Sequence, residues 1–192
     1  MGGEEALRGK ALVLTYCTKR KRRKAGRARE VYAGPVKNLF ALSEAIGAKC
    51  YILSAKYGLI SCDDYVESYD LYLKELGRES LNALREAVSR KCGEVEGAWD
   101  VAVINMSQAY SEAFPCTIRA RRALVIGKFR GVAAERLVKV VPRTLGERAK
   151  VLRALGRVRS LEDLVRLIEE GALDGELDPH FFDGVGGGGG RV

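Results

Sequence analysis

The sequence predicts an α/β protein: a three-layer sandwich with a central, mainly parallel sheet, followed by a C-terminal helical pair. Short apolar runs at 10–16, 49–53, 100–106 and 122–126 alternate with amphipathic stretches, the pattern of a doubly wound sheet. Each run ends in polar residues on its carboxyl side, where an open α/β sheet places its ligand. From Thr144 onward the texture is helical only. The expected organisation is an α/β core over 1–143, a helical hairpin packed on it over 144–173, and a glycine-rich tail over 174–192 with too little apolar surface to order.

In chain order, residues 1–9 form a ragged polar start. Lys10 to Tyr16 (K-A-L-V-L-T-Y) is rich in Leu and Val and bounded by polar residues, as a fully buried first strand should be. A helix is expected from Gly34-Pro35 to Gly47, since Pro suits a first helical turn and Val36, Leu39, Phe40 and Ile46 keep one face apolar. The second strand is 49–53. Gly58 then permits a tight turn. Leu81, Leu84, Ala87 and Val88 recur at helical spacing between Glu79 and Cys92. The third strand is 100–106, and the fourth, 122–126, runs into G-K-F-R-G and then into a helical stretch expected near Val132. Thr144 with Glu147, and Ser160 with Asp163, stand where helix N-caps and their third residues belong, on either side of a turn at Gly156–Arg159.

Composition narrows the function classes. At 192 residues, with 47% hydrophobic and 30% charged residues, the chain reads as globular and soluble. It shows neither a run of roughly eighteen apolar residues nor a secretory leader, which points to a cytoplasmic protein that does not engage membranes. The five cysteines, Cys17, Cys50, Cys62, Cys92 and Cys116, form no C-x-x-C pair. An odd count inside a cell points to free thiols. Scarce Asn and Gln beside plentiful Arg and Glu lean toward a heat-adapted source, where bridges are less exceptional, so a disulfide stays open.

The net charge of +8 has one origin. Residues 19–29, K-R-K-R-R-K-A-G-R-A-R, hold eight basic residues and no acidic one, so the rest of the chain balances at 25 basic (33 less 8) against 25 acidic. Six consecutive cations, Lys19 to Lys24, repel one another unless solvated or partnered, and a phosphate backbone is the natural partner. Arg20, Lys21, Arg22, Arg23 and Lys24 are therefore candidate phosphate contacts, with a solvated loop as the alternative. Lys128 and Arg130 in G-K-F-R-G join them, although that segment lacks the spacing of a P-loop.

The loop after the second strand, S-A-K-Y-G at 54–58 and on to Tyr69-Asp70, collects a hydroxyl, an ammonium, phenols and a carboxylate. Asp70, Lys56 and Tyr57 are the candidate catalytic groups, Asp70 to orient water or stabilise positive charge on a sugar. Cys17, Lys19, Ser54 and Asn105, at strand ends, are candidate ligand contacts. On the alternative view, Ser54 and Asp70 satisfy backbone donors and Lys56 is a solvated charge. Seven tyrosines, at 32, 51, 57, 65, 69, 72 and 110, offer rings for base stacking. A catalytic thiol at Cys17 lacks a histidine, because the only one, His180, sits in the expected tail. His180 with Asp178 and Asp183 imitates a metal cluster, but its Pro and Gly neighbours argue for a flexible tail. No metal and no cofactor are assigned.

Four segments carry a family resemblance: C-T-K-R-K at 17–21, A-R-E-V-Y-A-G at 28–34, I-L-S-A-K-Y-G-L-I at 52–60 and Y-D at 69–70. Together they resemble an uncharacterised family, DUF6884-like, built on a strand-Cys-x-x-K start, an A-R-x-L-Y-T-G segment and an I-L-S-A-K-Y-G-L core. The last three are also similar to the peroxide stress protein YaaA family, which implies a basic groove and DNA association. A more distant similarity, to the domain appended to archaeal tRNA-guanine modification enzymes, implies a uracil-DNA-glycosylase-like sandwich and work on nucleobases. The chain departs from the YaaA pattern in opening with Cys17 where that family has S-P-A-K, and in its dense basic insertion. The expected function is nucleic-acid association, acting on a base or its glycosidic bond. The alternatives are an enzyme for a phosphorylated or nucleotide substrate, and a non-catalytic DNA- or RNA-binding module.

Overall fold

The computed structural model describes residues 10–170. The polar start, the glycine-rich tail and the His180, Asp178 and Asp183 grouping lie outside the described residues. The protein is α/β, built on one six-stranded, mostly parallel sheet in the order β4-β3-β1-β6-β7-β8. These strands are β1 Ala11–Tyr16, β3 Lys49–Ser54, β4 Gly58–Ser61, β6 Ala98–Asn105, β7 Ile118–Ile126 and β8 Val132–Val140. Only β4 runs antiparallel to its neighbour. A separate two-stranded ribbon pairs β2, Ala25–Arg27, with β5, Tyr65–Glu67.

β1 sits inside the sheet, flanked by β3 and β6, and Leu12, Val13 and Leu14 are wholly buried. Burial of each such side chain is worth about 1.5–3 kcal/mol, which is why the most apolar run occupies the middle. Helices cover the sheet: α2 (Lys37–Ile46) packs on β1 and β3, α3 (Arg78–Ser89) on β4, and α6 (Leu161–Glu170) on β7 and β8. α5 (Leu145–Leu155) lies against α2. Two short helices, α1 (Ala28–Val31) and α4 (Gln108–Glu112), complete the set, and the arrangement accords with three layers. The expected caps form. Thr144 accepts from the Glu147 amide at 3.1 Å and Ser160 from the Asp163 amide at 3.1 Å, while the Glu147 carboxylate accepts from the Arg143 amide.

Three expectations need correction. The stretch from Val132 is a strand, not a helix: V-A-A-E-R-L-V-K-V pairs with β7 along its whole length. Only five residues, Gly127 to Gly131, connect these parallel strands, far fewer than the dozen or so that usually carry such a crossover. The cysteines are not all free: Cys50 is bridged to Cys62 and Cys92 to Cys116, leaving Cys17 as the buried thiol. Both bridges sit at the amino-terminal end of the parallel strands, Cys50 at the start of β3 and Cys116 just ahead of β7. Finally, the basic segment is not a free loop, since β2 docks it on β5 and Lys21 bridges to Tyr32. No helix among the described residues is long and apolar enough to cross a membrane.

Candidate functional site

The carboxyl ends of β1, β3 and β6 converge, and their polar residues meet. The Asn105 amide donates to Thr15 Oγ1 at 2.9 Å, and the Cys17 amide donates to the Leu53 carbonyl at 2.9 Å. Cys17 Sγ lies 2.9 Å from the Tyr110 hydroxyl, both buried. Beside them, Ser54 Oγ shares a 2.7 Å hydrogen bond with Tyr69 and accepts from Tyr32 at 3.4 Å. Tyr32 and Tyr69 also join, at 3.1 Å. Ser54 further accepts from the amides of Lys56 and Tyr57 at 3.2 and 3.1 Å, so it both satisfies backbone donors and anchors the phenols.

Burial sets the protonation of this cluster. It pushes the Tyr32 phenol up to about 12, with its hydrogen bonds to Ser54 and Tyr69 acting the other way. The Tyr69 and Tyr110 phenols are raised first by burial and then by the neighbouring Cys17. All three are neutral at physiological pH, and so are donors as well as acceptors.

Next to this cluster opens a cleft of about 550 Å³, within the range of small-ligand sites. Its floor is strand-end residues of β1 and β6, among them Tyr16, Cys17 and Asn105. Its walls come from the start of the basic segment, from Tyr72 and Lys74, and from α5 through Leu145, Arg148 and Leu152. Lys19, Arg20, Lys74 and Arg148 are cationic, and no Asp or Glu lines the space. Aromatic rings interleave with the charges. Tyr16 and Tyr110 stack at 5.0 Å, Lys19 Nζ stands 4.7 Å from the Tyr72 ring, and, outside the cleft lining, Lys21 Nζ stands 4.3 Å from Tyr69, distances at which a cation is held by a ring face.

Of the expected ligand contacts, Cys17, Lys19 and Asn105 line the cleft, while Ser54 is buried behind it. The expected catalytic groups lie elsewhere. Lys56 and Asp70 are exposed and off the cleft wall, and the Tyr57 hydroxyl donates to the Glu67 carbonyl and accepts from the Glu67 amide. Among the expected phosphate contacts Arg20 reaches the cleft, while Arg22 and Arg23 border a second hollow of about 300 Å³ together with Glu30 and Glu44. Lys128 and Arg130 are exposed on the β7–β8 connection. Part of the basic run is neutralised internally: Arg23 and Arg27 pair with Glu30, and Arg29 with Asp63 and Glu44.

Sequence reasoning passed over Arg148. It stands on the apolar stripe of α5, three, four and seven residues before the buried Val151, Leu152 and Leu155, an odd place for a charge and a signal that could have found it. Cys92, Glu96 and Cys116 form a metal-like grouping, but the bridge between the cysteines takes both thiolates.

The model of a family of unknown function, DUF6884, matches residues 12–140. The chain belongs to that family. Neither the curated proteins nor the solved structures contain a match. The DUF6884 match spans the sheet from β1 to β8, including the Cys17, Asn105 and Tyr110 floor of the cleft, and stops before α5.

Proposed function

We propose that this DUF6884 protein associates with nucleic acid, its basic segment following the phosphate backbone while the cleft receives a nucleotide unit. One observation carries the proposal: a cleft lined by four cations, several aromatic rings and no carboxylate is continuous, through Lys19 and Arg20, with the cationic run that ends at Lys24. Positive charge tracking a backbone beside aromatic faces is how single strands are held without strict sequence preference. The resemblance of the segments at 28–34, 52–60 and 69–70 to the YaaA family, and the more distant one to uracil-DNA-glycosylase-like domains, are in keeping with this. Glycosidic cleavage would draw on Asp70, and since Asp70 stands off the cleft wall, binding is the function proposed.

The cleft's volume favours a second reading, an enzyme or receptor for a free nucleotide, because about 550 Å³ suits one such molecule. Titration of duplex DNA, single-stranded DNA and tRNA across a salt series separates the two, with a variant carrying Gln at positions 20–24 alongside. Nucleic-acid association predicts binding that weakens with salt and is lost in the variant. Binding unchanged in the variant overturns it.

A further inference from the structure

Among the four cations of the cleft, Arg148 is the one whose side chain is tied to the sheet by hydrogen bonds. Its Nη1 donates to Asn105 Oδ1 at 2.6 Å and to the Ile126 carbonyl at 3.2 Å, and its guanidinium lies 5.8 Å from the centre of the Tyr16 ring. Asn105 in turn is fixed by its bond to Thr15. The guanidinium is thus oriented from two strand ends. Every partner it has is neutral, and no carboxylate pairs with it among the described residues. Burial lowers its pKa, opposed by Tyr16, but an arginine stays charged at any pH the protein meets. A half-buried, aimed and uncompensated guanidinium is costly for the free protein, and an incoming anion relieves that cost. A second observation concerns the same wall: Tyr72 lines the cleft, and its phenol oxygen is buried with no hydrogen-bond partner among the described residues. Native structures seldom leave such a group unsatisfied.

We propose that the cleft recognises the phosphomonoester of a nucleotide through Arg148, with Lys19 and Arg20 closing on the same group. The planar guanidinium matches phosphate oxygens as an ammonium does not. The proposal rests on the nucleotide reading above and narrows it, because a terminal phosphate has a charge and an oxygen count that an internal phosphodiester lacks. The phosphate could belong to a free mononucleotide or to the phosphorylated end of a strand, and both offer the same chemistry to the cleft. It also gives α5 a role: this helix, beyond the family match, supplies the residue that selects the ligand.

The test is calorimetric titration of the full chain with a nucleoside 5′-monophosphate, its nucleoside, inorganic phosphate, and one oligonucleotide with and without a 5′-phosphate. The monophosphate should bind at least about tenfold more tightly than the nucleoside, the worth of a charge-assisted hydrogen bond. Equal affinities overturn the proposal. Arg148→Gln should erase the difference and Arg148→Lys restore part of it. Because Arg148 helps join α5 to the sheet, Leu145→Glu is the safer variant. Leu145 lines the cleft mouth and is 82% exposed, and a carboxylate three residues before Arg148 can pair with it and compete with phosphate without disturbing the core. A folded Leu145→Glu protein that keeps the full preference also overturns the proposal. A preference shown by the free monophosphate identifies a small ligand, and one shown only by the oligonucleotide identifies a strand end. Binding of polynucleotide with no preference for a phosphomonoester sinks this inference and leaves nucleic-acid association standing. Binding of the monophosphate with no polynucleotide binding does the reverse, and failure of both sinks both.

Discussion

Salt dependence gives a numerical test of which cations in the basic segment are free to meet a polynucleotide. Of the eight basic residues at 19–29, three, Arg23, Arg27 and Arg29, face carboxylates within the protein, leaving five. With about −0.9 in the log–log salt slope per phosphate neutralised, five contacts on duplex DNA give about −4.5, or about 500-fold weaker binding at 200 mM than at 50 mM salt. On a single strand the slope is about −3.5 and the loss about 130-fold. If all eight acted, the duplex slope would be about −7 and the loss about 2 × 10⁴-fold. Fluorescence anisotropy of a labelled oligonucleotide across that range resolves these cases. Arg22→Gln should flatten the slope by about one. Arg29→Gln should leave the slope alone and instead cost about 1–2 kcal/mol of stability, because Arg29 is only 12% exposed and grips Asp63 with Nε and Nη2 at 2.8 and 3.2 Å. A slope shallower than about −2, or one that falls equally in the two variants, would refute the division into free and paired cations.

Three other outcomes are expected. The Cys50–Cys62 and Cys92–Cys116 bridges close loops with sequence separations of 12 and 24, so replacing each pair with Ser should cost about 3 and about 3.5 kcal/mol in denaturant unfolding; a loss under about 0.5 kcal/mol would count against the loop-closure account. Burial raises Tyr32 from an ordinary value of 10.0 to about 12. The stability held by its neutral form is therefore complete below pH 10 and lost as pH climbs toward 12, at up to about 1.4 kcal/mol per pH unit; Tyr32→Phe should flatten a urea-stability profile in that window, and an unchanged profile would remove Tyr32 as the cause. A Cβ at Gly127 would overlap the Met106 carbonyl, and its φ is +113°, so Gly127→Ala should cost about 2 kcal/mol or more, whereas Gly146→Ala, in the first turn of α5 where a Cβ meets only Thr144 Oγ1 at an ordinary 3.7 Å, should be neutral or stabilising by thermal melting.

The parts of the fold legible in the sequence were those whose burial is two-sided. β1, β3, β6 and the end of β7 are unbroken apolar runs because both faces are covered. β8 escaped notice because it is an edge strand with one face partly open, and its Ala, Glu, Arg, Leu and Lys are good helix formers; pairing with β7, not local preference, decides its shape. The convergence of polar strand ends was readable too, and Cys17 and Asn105 stand where that pattern put them. The Cys50–Cys62 bridge was not readable, since it depends on β4 folding back against β3 to bring the two residues opposite each other. Arg148 was signalled only by a charge on an apolar stripe, and its partners are distant in sequence, Ile126 by 22 residues and Asn105 by 43.

Both bridges pin the amino-terminal ends of the parallel strands, while the cleft end, without a bridge among the described residues, is joined by hydrogen bonds and ring contacts among Cys17, Tyr32, Ser54, Tyr69 and Tyr110. The sheet is thus riveted at one end and laced at the other, like the hinge and jaws of a clothes-peg. Thermal opening should begin at the jaws, with the rivets as its pivot. A ligand lodged between the strand ends and α5 would act as a pin through those jaws. Amide exchange should then slow in α5 and near Asn105 and hardly change beside the bridges.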